Sequence, residues 1–220
     1  MNTGTHFSAH GNLMNWLLCC ALLLSSGVEA AGKEWRFRVY LDDREIGYHH
    51  FQLTKNGSET RLVTRAELVV TFLKIPVFSY THDNTERWNG ECLESIASVT
   101  DENGEWYRVN GDAAAEGFRV TTSAGESVLP DCISTFAYWD RSFLQRQTLL
   151  NSQTGEYVDV EVDYLGQRQL SAGVKTLAAH RYRLEAEDLE LELWYSQEGH
   201  WLALQSRLES GQLLRYQIEQ

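Results

Sequence analysis

The sequence predicts an all-β, mainly antiparallel domain: one large curved sheet or barrel-like wrap with a short helical segment around residues 134–150. Three observations predict it. Apolar and polar residues alternate in segment after segment, the period of a strand with one covered face. Gly, Asn and Asp recur between those segments at hairpin spacing, and nothing alternates strand with helix as a parallel sheet requires. Finally, 7 Trp, 10 Tyr and 8 Phe stand against only 2 Pro, a balance suited to packed sheet.

The first strand is Trp35 to Leu41, with Trp35, Phe37, Val39 and Leu41 on one face. Asp42-Asp43-Arg44 turns it into Glu45 to Thr54, and the Asn56-Gly57 pair, tolerant of positive φ, starts the next hairpin. Thr60 to Leu73 follows, with Leu62, Ala66, Leu68, Val70 and Phe72 in one period-two set. Val77 to Trp88, Leu93 to Thr100 and Glu105 to Val109 continue the pattern, and Phe118 to Ser123 adds a shorter strand. Beyond Pro130 the rhythm breaks: Phe136, Tyr138, Trp139, Phe143, Leu144, Leu149 and Leu150 show no steady alternation. A helix starting near Ser134 or Asp140 and packed across the inner face is expected there. Alternation resumes over Glu156 to Tyr164 and is cleanest at Ala179–Leu184, Leu189–Tyr195, Trp201–Leu208 and Leu213–Ile218. Ten or eleven such strands are too many for a flat open sheet, so curling is expected.

The leading residues read as targeting. Leu13 to Ser26 is an apolar run of signal-peptide length, too short to span a bilayer, and Val28-Glu29-Ala30 places small residues before a cut between Ala30 and Ala31. The run has no Lys or Arg before it, and a start at Met14 would leave a shorter leader. Acylation of Cys19 or Cys20 is disfavoured, because Leu18 or Cys19 would occupy the small-residue position before the modified cysteine. No later segment is long and apolar enough for a transmembrane span. The expectation is a signal peptide over residues 1–30 and a single β domain over 31–220, exported to the periplasm or secreted.

All 19 Lys and Arg lie after residue 30 and Glu29 is the one acid before it, so residues 31–220 carry 19 − 30 = −11. Such an acidic chain is no partner for nucleic acid, which needs clustered cations. Cys92 and Cys132 are the cysteines left after the leader, and an oxidising compartment would favour a disulfide between them. Their spacing is neither CxxC nor that of a zinc site.

Chemical motifs are few. His49 and His50 are neighbours in a strand and leave opposite faces, so they cannot share a metal. His82 and Glu86 stand about 13 Å apart along a strand, too far for both to reach one ion, and no metal site is expected. There is no GxSxG elbow, GxGxxG or GxxxxGK, so no cofactor is implied. Glu185-Ala-Glu-Asp-Leu-Glu-Leu-Glu192 reads as a solvated strand face.

Several stretches carry a family resemblance: Glu86-Arg-Trp88 with Cys92-Leu93, Thr100-Asp-Glu-Asn-Gly104, Leu129-Pro130 with Tyr138-Trp139, Leu150 to Gly155, Ala179 to Arg183, and Leu193 to Trp201. Together they resemble an exported bacterial family of β-rich domains of unknown function, over roughly Trp35 to Ile218. The resemblance implies a fold and brings no catalytic residue. In architecture it is also similar to periplasmic half-barrel carriers of lipoproteins and their anti-sigma-factor-binding relatives.

These readings lead to an exported, non-enzymatic β-protein that binds an apolar or amphiphilic small molecule or an envelope protein. The expected lining is Phe37, Phe51, Phe72, Tyr80, Trp88, Trp139 and Trp194, large aromatics on strands or on the crossing segment. The alternatives are an envelope hydrolase with a dispersed site around His50, His82 and Glu86, and a structural interaction scaffold with an exposed apolar patch or a free sheet edge.

Overall fold

The computed structural model describes residues 31–172, 175–187, 189–208 and 210–219; the expected leader, residues 1–30, lies outside the described residues. Eight strands form an antiparallel meander: β1 (Ala31–Leu41), β2 (Arg44–Asn56), β3 (Glu59–Phe72), β4 (Ile75–Asn89), β5 (Cys92–Glu102), β6 (Glu105–Ala114), β7 (Gly117–Thr122) and β8 (Gly125–Leu129). A crossing segment, residues 130–160, carries the short hairpin of β9 (Thr148–Leu150) and β10 (Tyr157–Asp159). A second meander follows: β11 (Glu161–Ala172), β12 (Lys175–Ala186), β13 (Leu189–Tyr195), β14 (Trp201–Arg207) and β15 (Leu213–Ile218).

The two meanders are one sheet. β15 pairs antiparallel with β1, Phe37 opposite Ile218, giving thirteen strands in the order β11-β12-β13-β14-β15-β1-β2-β3-β4-β5-β6-β7-β8. The sheet is open: among the described residues, β8 and β11 are its two edges. The all-β antiparallel expectation therefore holds, with more strands, and several longer ones, than alternation alone separates.

The crossing segment differs from the helix expected over 134–150. Its helical part is one 3-10 turn, Arg141–Gln145, whose N-cap Asp140 accepts a hydrogen bond from the Ser142 N–H. The flanks make strand-type and turn bonds instead: Thr135 bridges Leu150, the Leu150 N–H donates to the Ser134 carbonyl, and the Asp140 N–H donates to that of Ala137. Apolar residues without regular spacing are what such a plug needs, since it must fit an irregular inner surface rather than present one helical stripe. Ile133, Ala137, Phe143, Leu149, Leu150 and Val160 all sink into the main core.

That core lies between the segment and the inner face of the sheet. Phe37, Trp35 and Phe51 gather around Trp201, the Phe37 and Trp201 ring centroids 4.4 Å apart, and Trp139 meets Trp88 edge-on at 5.6 Å. Edge-to-face rings contribute about 1 kcal/mol beyond the area they bury. The segment is lashed at one end by a Cys92–Cys132 disulfide with the Cα atoms 4.4 Å apart. Next to it the Leu93 N–H donates to the Ile133 carbonyl, and Arg146 donates to the carbonyls of Cys132 and Glu91. At the other side the Tyr195 hydroxyl donates to the Tyr138 carbonyl, and Ser98 to that of Ser152.

The disulfide closes a loop spanning 40 residues, worth about 3–4 kcal/mol in the chain-entropy picture. Replacing both cysteines by serine should lower the unfolding free energy by about that amount in urea melts, with the midpoint lowered and the slope raised, because the unfolded chain loses its cross-link and exposes more surface. A midpoint within error of the parent would show that the lash adds nothing.

Candidate functional site

The plug does not fill the inner face. Between it and the sheet remains a cavity of about 710 Å3. One side of its wall is apolar: Ile46, Leu68, Val70, Leu191, Leu204 and Leu214 come from β2, β3 and β13–β15. The other side is polar and comes from the inward positions of β3 and β4, where Thr64, His82, Asn84 and Glu86 stand on adjacent rungs. Thr135, Trp139 and Asn151–Gln153 close it from the plug. The rim carries Glu102, Glu156 and Glu187, all exposed, beside exposed Leu189 and Leu208.

Strand parity explains the polar wall. Thr64 shares its face with Leu62, Ala66 and Leu68, and His82, Asn84 and Glu86 share theirs with Trp88. Apolar residues would be ordinary at all eight of these inward positions; four are instead polar and less than a tenth exposed: Thr64, His82, Asn84 and Glu86.

Some of this polarity is satisfied internally. The Glu86 carboxylate accepts from Asn84 Nδ2 and from Trp88 Nε1, each at 2.9 Å, with Thr135 as a further side-chain partner. Burial raises its pKa, and those hydrogen bonds act in the opposite direction. His82 Nδ1 lies 2.9 Å from Thr100 Oγ1, and burial lowers its pKa to about 4. His49, stacked on Phe51 at 4.2 Å, has Nδ1 3.2 Å from the Tyr216 hydroxyl, and burial holds it well below the ordinary histidine value. Burial also raises the phenols of Tyr80, Tyr138 and Tyr216. The environment disfavours charge on each of these groups.

The rest is unsatisfied. His49 Nε2, Thr64 Oγ1, Asn84 Oδ1 and Trp139 Nε1 are buried without a hydrogen-bond partner in the protein, and all four residues line the cavity. An unmade hydrogen bond at a buried polar atom costs about 1–3 kcal/mol, and four residues around this one space each carry such an atom. Among the described lining residues there is no Lys or Arg. The arrangement can bind an uncharged polar group through donors and acceptors; it offers no cation to an anion.

Of the aromatics that the sequence suggests as lining, Phe51, Tyr80 and Trp139 face the cavity. Phe37 and Trp88 lie in the packed core, each at most 2% exposed. Phe72 is 65% exposed, because a bulge after Val70 breaks its parity and β2, on the other side of β3, ends its pairing at Leu68. Trp194 points to the other face of β13 from Leu193 and Tyr195, where it packs with Ala179 and Ala203 under the Arg181 guanidinium. The hydrolase grouping does not assemble: His82 and Glu86 share the inner face, while His50 stacks on Tyr48 on the opposite face of β2 from His49 and Phe51. No group of three or more His, Cys, Asp or Glu able to hold a metal occurs among the described residues. No helix among them is long and apolar enough to cross a membrane. Thr64 and Asn84 lie outside the aromatic set that the sequence suggests; their signal is a polar residue at an inward parity position.

The model of a domain of unknown function, DUF6134, matches residues 37–219, nearly the whole described sheet and plug. The chain belongs to that family. Among solved structures it is similar to a beta-barrel-like protein of domain of unknown function DUF1849 from Brucella abortus, with a TM-score of 0.62 at 10% identity. That match covers 85% of this chain and 95% of the other, and at such identity it shows a shared fold. No curated protein matches the chain.

The buried histidines set a pH dependence. A folded pKa of about 4 for His82, below its unfolded value, stabilises the protein above the unfolded pKa, and that stability is lost as pH falls from about 6.5 through 4. The full His82 contribution is about 3 kcal/mol. A His82→Gln variant, which keeps a partner for Thr100, should show a flatter fall in unfolding free energy over that range. Parallel curves for variant and parent would exclude His82 as a source.

Proposed function

We propose that this protein is an exported binding protein that encloses one uncharged amphiphilic small molecule between its sheet and its plug. The observation that carries the reading is that four residues lining one cavity of about 710 Å3, His49, Thr64, Asn84 and Trp139, each hold a buried polar atom without a partner in the protein. That volume is of the size small-molecule sites have, about 300–1,000 Å3. The leucine-rich side would take the guest's hydrocarbon part. Its hydroxyl, amide or carbonyl group would meet the polar rungs of β3 and β4. The missing Lys and Arg among the described lining residues favour a neutral polar group over a carboxylate or phosphate. Export is supported by the Cys92–Cys132 disulfide, a bond that persists in oxidising compartments, and by the signal-type sequence of residues 1–30.

The test is native mass spectrometry of the full chain after exposure to a bacterial lipid extract, with the guest identified after denaturation. One guest per chain is expected, and a neutral amphiphile should dominate over anionic lipids. Leu214→Trp, which fills the apolar side from a half-buried position, should cut occupancy at least about tenfold, the effect of losing roughly 1.4 kcal/mol of apolar contact. A chain that stays empty in the extract, or a Leu214→Trp protein as fully loaded as the parent, would sink the reading.

A further inference from the structure

The hairpin joining β3 to β4 outruns the sheet that carries it. β2 accompanies β3 only as far as the Gly47–Leu68 pair, and β5 accompanies β4 only from the Tyr80–Glu102 pair, yet β3 and β4 stay paired to Phe72 and Ile75. Residues 69–79 therefore form a two-stranded finger with no strand beside it, standing roughly 13 Å past its neighbours at strand rise. Arg44 braces it by donating to the Thr71 carbonyl, and Asn103 accepts from the Ser79 N–H at its base.

Everything at the end of this finger is apolar or cationic. Phe72, Leu73, Ile75 and Val77 are 65%, 80%, 64% and 60% exposed, and the residue between Leu73 and Ile75 is Lys74. The turn at Leu73-Lys74 has φ of 50° and 67°, a left-handed pair for which Asn-Gly is the favoured sequence. Leucine thus occupies a backbone that disfavours it and presents the most exposed large apolar side chain of the set. Charge separates the finger from the rest of the molecule as well. From Leu68 to His82 there is no Asp or Glu, in a chain that carries 31 of them and a net charge of −12.

We infer that this finger is a lipid-docking element, which inserts Phe72, Leu73, Ile75 and Val77 into the headgroup boundary of an anionic bilayer. An apolar end with a lysine at its apex suits an interface that is greasy inside and negative at its surface. A protein partner would be expected to meet a broad face, about 800 Å2 a side, rather than the end of one ribbon. The acidic remainder of the chain would be repelled from the same surface, which orients the molecule finger-first. Val70 and Phe78, at the finger's base, also line the cavity, so docking would bring the bilayer close to one end of it. The docking itself does not depend on the cavity holding a guest.

The experiment is hydrogen exchange by mass spectrometry on the full chain, with and without vesicles of phosphatidylethanolamine and phosphatidylglycerol. Because the readout is local to peptides covering residues 69–79, membrane binding elsewhere in the chain does not register in it. Vesicles should slow exchange there at least about fivefold in the parent. They should leave it unchanged in the Leu73→Asn, Lys74→Gly, Ile75→Thr, Val77→Thr variant, whose turn receives the residues its conformation favours and whose changes are all at exposed sites. Exchange unaffected by vesicles in the parent would overturn the inference, and so would equal slowing in the variant. Slowing produced by a soluble envelope protein fraction but not by vesicles would overturn it in favour of a protein partner.

Discussion

A sheet of thirteen strands has one face that must be kept from water, and the whole molecule follows from how that face is covered. Helices would do it in most folds. Here a single irregular segment, residues 130–160, does so, and it holds its place through the Cys92–Cys132 bond and a few backbone hydrogen bonds rather than through regular packing. A segment of that length covers the aromatic end around Trp35, Trp88 and Trp201 and leaves the remainder hollow. Core and cavity are thus two halves of one inner face, one packed by the chain and the other left hollow.

The two halves differ in chemistry as well as filling. Around Trp201 the rings meet one another and nearly every polar atom has been excluded, while Thr64, His82, Asn84 and Glu86 place hydrogen-bonding groups where the plug cannot reach them all. Folding energy alone would favour apolar residues at these positions, because buried polar groups contribute little even when paired. Their presence makes physical sense if another set of donors and acceptors completes them. The family membership and the barrel-like neighbour fix the architecture; the chemistry of the hollow comes from this chain's own side chains.

Much of the fold was legible because antiparallel strands write their pattern locally. The alternation of Trp35, Phe37 and Val39, or of Leu191, Leu193 and Tyr195, says which face is covered without reference to any distant residue. The pairing of β1 with β15 is not written locally, and neither is the place where a strand outlives its neighbour. That second omission put Phe72 inside when it is outside. Trp194 went astray for a related reason: size suggested the interior, but parity puts it opposite Leu193 on a face that Arg181 and two alanines cover. The site was least legible of all. Aromatic residues attract attention in a sequence, whereas its most informative atoms belong to Thr64 and Asn84, small polar residues whose only mark is standing in an apolar row.

The seam between β1 and β15 has a consequence for biogenesis. β1 is the first strand of the sheet to be synthesised, yet one of its two edges finds its mate only when β15, the last, has been made. Until then the nascent half-sheet exposes a row of unsatisfied amides and carbonyls along its earliest strand. Through that interval the edge of β1 is free to pair with any other extended chain it meets, so the seam that completes the sheet is also the place where its assembly is most exposed to error.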